Sequence, residues 1–177
     1  MKVLYLFIIS VFLMSSSCGI EISPDEELTL NKQGFTGNQL KINGYYYFKS
    51  GNDLYDTFIL YRNGVILSGG GNAPDTDPFI FIENLFNSYQ NNNSYQEKKS
   101  NWGLFVIDNN IICMEKWHPS SGGGMPVYKR TGEILNDTTF IITKMIRSST
   151  GNEVSIDETF HFKKFSPKPD STNSFIE

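Results

Sequence analysis

Along most of the chain, apolar residues alternate with polar or small ones at period two, and short polar breaks divide this alternation into hairpins. Trp102, Leu104 and Val106 alternate with Gly103, Phe105 and Ile107; Asp108-Asn109-Asn110 interrupts, and Ile111 to Trp117 resumes. Period-two patterning broken by small polar residues predicts a β-hairpin, because Asn tolerates the positive φ of a tight turn. The device recurs at Asn63-Gly64, between Leu54–Arg62 and Val65–Ser68, and at Asn136-Asp137, between Val127–Leu135 and Thr138–Ile146. Two single strands flank these hairpins. Leu40–Phe48 carries Leu40, Ile42, Gly44, Tyr46 and Phe48 on one face, and Val154–Phe165 carries Val154, Ile156, Glu158, Phe160 and Phe162 on one face.

The longest interruption runs from Gly69 to Ser100. Within it Asp77-Pro78 precedes Phe79, Ile82, Leu85, Phe86 and Tyr89, whose spacing is helical behind an N-cap and a first-turn proline. The sum is eight strands and one helix, mainly β, with the helix inserted between strands three and four. Sequential hairpins imply an antiparallel up-and-down meander, and eight strands suit a closed barrel. An open sheet wrapped around the helix is the competing architecture. Gly44-Tyr45-Tyr46 stands near where lipocalins carry Gly-x-Trp on the first strand, with Tyr in place of Trp. On that ground the domain resembles lipocalin-like lipoprotein barrels in architecture.

The connections alternate in kind. Those after strands two, four and six are two-residue turns, and those after strands one, three, five and seven are longer. In a meander this gathers the tight turns at one pole and the variable loops at the other. Loops on a rigid scaffold are where recognition usually resides, and barrel mouths are common ligand sites. Because strand one begins at the tight-turn pole, the segment before it is expected there too, with the loops facing the other way.

The N-terminus changes the picture most. Lys2 is followed by the apolar run Val3–Met14 and by Ser15-Ser16-Ser17, which is the layout of a secretory signal peptide and too short for a spanning helix. Cys18 directly after these small residues resembles the lipobox of bacterial lipoproteins, although Ser15 stands where an aliphatic residue is commoner and Leu13 lies two residues further back. The resemblance implies that Cys18 becomes an acylated mature N-terminus. Gly19, rather than Asp, after the cysteine implies the outer membrane. Read without the resemblance, the three serines form an ordinary cleavage site and Cys18 is a free thiol. The domain plan is then a signal peptide over 1–17, a lipidated tether over 18–39, the barrel over 40–165 and a flexible tail over 166–177. The alternative for Leu28–Leu30 is a short strand or helix docked on the domain.

Composition adds less. Aromatics at 14%, with 14 Phe and 9 Tyr, tilt toward β structure. Net charge is −4 over the whole chain, or −5 once Lys2 is removed with the leader, and basic residues cluster only at Lys129-Arg130 and Lys163-Lys164. No nucleic acid is expected as a partner.

Candidate chemistry is sparse. Cys113 and His161 would be the pair for a thiol hydrolase, but both fall inside strands, with no helix N-terminus to lower a thiol pKa. His118 is a lone loop histidine without a second ligand at metal spacing, so no metal is expected. Gly69-Gly70-Gly71 and Gly122-Gly123-Gly124 share only glycine content with phosphate loops, and no cofactor is expected. Asp56, Glu115, Glu133, Asp157 and Glu158 read as solvated outer-face carboxylates. Tyr46, Trp102, Trp117 and Phe160 are the aromatics that would line a ligand cavity, unless they fill the core. The expectation is a non-enzymatic outer-membrane lipoprotein binding a small apolar ligand or lipid at the loop pole. The alternatives are a structural or assembly lipoprotein docking an envelope protein, and, more remotely, a hydrolase using Cys113.

Overall fold

The computed structural model describes residues 24–51, 53–73, 77–91 and 97–177. Cys18 and the leader lie outside the described residues. Eight antiparallel strands form a closed barrel in chain order: β1 (Gly44–Ser50), β2 (Leu54–Leu60), β3 (Val65–Asn72), β4 (Trp102–Asp108), β5 (Ile111–Trp117), β6 (Val127–Asn136), β7 (Thr139–Arg147) and β8 (Glu153–Lys164). Closure comes from β1 against β8, with Tyr46 opposite Phe162. The helix α1 (Pro78–Asn91) falls between β3 and β4, as the apolar spacing predicts.

The tight turns behave as their residues require. Gly64 takes φ +82° and Asn109 takes φ +54°. The Val65 N–H donates to Asn63 Oδ1, and the Thr138 N–H donates to Asn136 Oδ1. β3 runs further than its apolar residues suggest. Gly69, Gly70 and Gly71 pair with Thr57, Asp56 and Tyr55. A side chain on Gly70 would place its Cβ 2.2 Å from the Tyr55 carbonyl oxygen, so glycine here permits strand contact rather than breaking it.

Alternation sorts the apolar residues into two cores. One lies within the barrel and draws on every strand: Tyr46, Phe58, Leu60, Ile66, Phe105, Ile112, Met114, Ile134, Phe140, Ile142 and Phe160. Phe140 and Phe160 stack at 5.0 Å and 13°. The other lies outside, where α1 covers the sheet. Phe79 N–H caps onto Asp77 Oδ1, and Ile82, Phe86 and Tyr89 form the buried face. Phe86 meets Tyr45 and Phe165 at 5.6 and 6.0 Å.

Residues 24–39, expected as a tether, lie along the outer wall as an irregular strap. At the loop pole the Glu26 N–H donates to the Met125 carbonyl, and the Glu26 carbonyl accepts from Trp117 Nε1. Midway, the Thr29 and Leu30 N–H groups both donate to Glu115 Oε2 at 2.7 Å. At the tight-turn pole the Phe35 N–H donates to the Arg62 carbonyl, and Phe35 and Leu40 close the end of the inner core. Tyr46 Oη seals the same end by donating to the carbonyls of Lys41 and Asp137.

This path corrects the expected polarity. Strand one does begin at the tight-turn pole, but the described strap, traced back from β1, lies at the loop pole by Glu26. The C-terminal tail, expected to be flexible, is also packed. Tyr61 Oη donates to the Pro169 carbonyl, Lys168 Nζ donates to the Ile42 and Leu60 carbonyls, and Phe175 and Ile176 rest beside Leu28 and Leu30. The reason is physical: the outer faces of β3, β4 and β5 carry Leu67, Leu104, Trp102 and Trp117, and α1 alone does not cover them.

Candidate functional site at the barrel mouth

The inner core fills the tight-turn half of the barrel; toward the loop pole the inward positions turn polar. Asp56 follows the parity of Phe58 and Leu60, Lys116 that of Ile112 and Met114, Arg130 that of Gly132 and Ile134, and Glu158 that of Phe160. These charged residues therefore point inward from four strands. Arg130 Nη1 lies 2.8 Å from Asp56 Oδ2 and 3.3 Å from Glu158 Oε2. Lys116 Nζ donates to Ser68 Oγ at 2.7 Å. Both cations sit over the Phe58 ring, at 5.9 Å for Lys116 and 5.8 Å for Arg130, so this core aromatic forms the floor of the charged cluster.

Three adjoining cavities open around this cluster. One of about 340 Å³ is lined by Phe48, Leu54, Asp56, Gly70, Arg130 and Glu158, among others. One of about 290 Å³ takes in Ser68, Gly70, Asn101, Lys116 and His118. One of about 520 Å³, more open, lies between His118, Pro126, Tyr128, Arg130 and Met145. Gly70 is shared by the first two, His118 by the last two, and Arg130 by the first and third.

Burial governs the chemistry of these groups. Burial pushes the Lys116 ammonium down to about 8, against a smaller opposing pull from Asp56. Burial, with Lys116 and Arg130 nearby, holds the His118 imidazole down at about 3, so it is neutral at physiological pH. Burial raises the Glu158 carboxyl, partly offset by Arg130. Among the described residues two buried polar atoms of the cluster, His118 Nε2 and Arg130 Nε, have no hydrogen-bond partner, and Glu158 Oε2 has only its ion pair with Arg130. Such atoms are costly unless something else satisfies them.

The four aromatics proposed from the sequence do not converge. Tyr46 and Phe160 fill the inner core, whereas Trp102 and Trp117 face outward beneath α1, the strap and the tail. All four are buried as packing. Cys113 and His161 are likewise separate. Cys113 pairs with Val106 and Thr131, and His161 with Tyr47 and Thr139. Burial raises the Cys113 thiol, which disfavours a thiolate nucleophile. The strand carboxylates also correct the sequence reading. Asp56 and Glu158 face inward rather than outward, and Glu115 is fully buried beneath the strap. Among the described residues no group of three His, Cys, Asp or Glu side chains could hold a metal ion, and no helix is long and apolar enough to cross a membrane.

Lys116, Arg130 and Ser68 were missed in the sequence, yet a signal was present. Each is a polar residue at the apolar parity of its strand, as Glu158 is beside Ile156 and Phe160. Polar residues on the inward face of a small barrel mark where side-chain packing stops.

No family model matches the chain, and neither curated proteins nor solved structures give a match.

Proposed function

We propose that this chain is a lipid-anchored barrel of the bacterial cell envelope that binds a small amphipathic molecule in its loop-pole mouth. The observation that carries the reading is the pair of buried polar atoms without a hydrogen-bond partner among the described residues, Arg130 Nε and His118 Nε2, beside the Arg130–Glu158 ion pair and set in cavities of ligand size. Lys116 has Ser68 as its hydrogen-bond partner and, among the described residues, no carboxylate within ion-pair distance, so it offers an acceptor head a cationic donor. Phe48, Leu54 and Tyr55 offer a short tail an apolar wall. A wholly apolar ligand fits less well, because it would leave these polar atoms unsatisfied.

Anchoring rests on the leader and on Cys18, through their resemblance to the bacterial lipobox. The outer membrane follows from Gly19 on the same footing. No enzymatic step is proposed: Arg130 occupies both carboxylates, and the Ser68 hydroxyl accepts from the Lys116 ammonium.

The test is calorimetric titration of the purified chain with octyl phosphate and with octanoate, two probes that share an anionic head and an apolar tail. Saturable binding that Lys116→Met weakens at least tenfold, about 1.4 kcal/mol, supports the reading. Absence of binding for both probes, or equal binding by the variant, overturns it.

A further inference from the structure

The strap places the exit of the N-terminal segment at the same pole as the mouth. Glu26 is fixed there by six contacts of different kinds. Its N–H donates to Met125 O, its carbonyl accepts from Trp117 Nε1, and its carboxylate accepts from the Val127 N–H at 2.8 Å, Ser149 Oγ at 2.6 Å, Arg147 Nη2 at 3.1 Å and Arg147 Nε at 3.3 Å. Met125, Val127, Arg147 and Ser149 all belong to the connections that rim the loop pole or to the strand ends beside them.

Chain length then decides orientation. Six residue steps separate Cys18 from Pro24. Fully extended, they reach about 20 Å at most. The strands run from 7 to 12 residues, and tilted by about 40° even the shortest make a wall roughly 18 Å tall. An anchor at Cys18 would therefore exhaust its tether merely returning to the tight-turn pole. With the loop pole toward the anchor, the same six steps leave slack.

We infer that the rim of the loop pole rests against the bilayer carrying the Cys18 anchor, so that the mouth opens onto a lipid surface rather than onto free solvent. The inference rests on the proposed acylation of Cys18. The rim suits such a partner. Four of its basic groups are ion-paired within the molecule: Lys49 with Asp53, Lys99 with Asp25, Lys144 with Glu153 and Arg147 with Glu26. Leu54 and Val154, at the rim ends of β2 and β8, are exposed apolar side chains that can enter the headgroup layer. The opposite pole presents the short polar turns Asn63-Gly64, Asn109-Asn110 and Asp137-Thr138.

The experiment uses the full-length acylated chain in vesicles of phosphatidylcholine and phosphatidylglycerol. In a Cys113→Ser background a fluorophore is attached through Ser121→Cys at the rim, or through Asn110→Cys at the opposite turn. Flotation of the chain with the vesicles, lost in Cys18→Ser, reports anchoring. Quenching by a nitroxide on the lipid headgroup reports orientation. The expected result is flotation with several-fold stronger quenching at Ser121→Cys than at Asn110→Cys. Flotation with equal or reversed quenching overturns the orientation and leaves the anchor standing. Failure to float removes the anchor, and this inference with it.

Discussion

Glu115 Oε2 accepts the backbone N–H of Thr29 at 2.7 Å, joining residues 86 positions apart and fastening the N-terminal strap to the wall of β5. The same carboxylate accepts from the Leu30 N–H, Thr29 Oγ1 and Ser148 Oγ, so a fully buried charge is satisfied on every side. That arrangement makes Glu115 a structural acid. Glu115→Ala should lower the unfolding free energy by about 2–3 kcal/mol, because charge-assisted bonds to buried donors are lost together. It should also expose residues 24–32 to protease. Unchanged hydrogen-exchange protection at the Thr29 and Leu30 amides would refute this role.

The loop-pole end of the strap should be acid-sensitive through Glu26. Burial pushes this carboxyl up, but Ser149, the Val127 N–H and Arg147 outweigh it and hold it below the usual carboxylate range. A carboxyl lowered in the folded state contributes stability above its unfolded pKa, and that contribution is lost as pH falls through the lowered folded value. Amide exchange at Glu26 and Val127 should therefore rise on acidification below the ordinary Glu range. In Glu26→Gln that response should be absent. An identical acid response in the variant would contradict the assignment.

Lys116 should cost the fold stability while serving the mouth. Its ammonium, lowered to about 8, must give up solvation to sit over Phe58. Lys116→Met should raise stability on the order of 1–2 kcal/mol. The sign with pH follows from linkage. The gain is full below pH 8, where both states hold the proton, and fades toward the unfolded lysine value, where neither does. Chemical denaturation at pH 7 and pH 10.5 checks this. A gain that grows with pH would be inconsistent with burial as the cause.

The inner stack is the mechanical floor of the site. Phe160 lies against Phe140 at 5.0 Å, Phe58 at 5.1 Å and Phe48 at 5.6 Å. Phe160→Ala should cost about 3–5 kcal/mol by cavity formation. Because Phe58 supports both cations, the same change should weaken ligand binding as well as stability. A loss below about 1 kcal/mol would mean that the core collapses around the gap.

The barrel was legible in the sequence because it is written locally. Alternation, the Asn63-Gly64 and Asn109-Asn110 turns, and the Asp77-Pro78 helix start are each set by a few neighbouring residues, and a meander needs no long-range choice of partner. The strap and tail were not legible for the opposite reason. Glu26, Thr29 and Lys168 make no pattern among themselves and are held by groups 86 to 126 positions away. The mouth fell between these cases. Alternation gave the parity of Asp56, Lys116, Arg130 and Glu158, but a charged residue at an apolar parity is only readable as buried once the barrel is known to close.

The central claim is that the charged mouth, and no other surface, holds the ligand. Chemical-shift mapping of the isotope-labelled chain during titration with octyl phosphate tests it most directly. The account expects Ser68, Gly70, Lys116, His118 and Arg130 to shift together and saturably, with Phe105, Ile134 and the tight turns unmoved. Shifts centred on α1, on the strap recess lined by Gln33 to Gln39, or spread without saturation would contradict it.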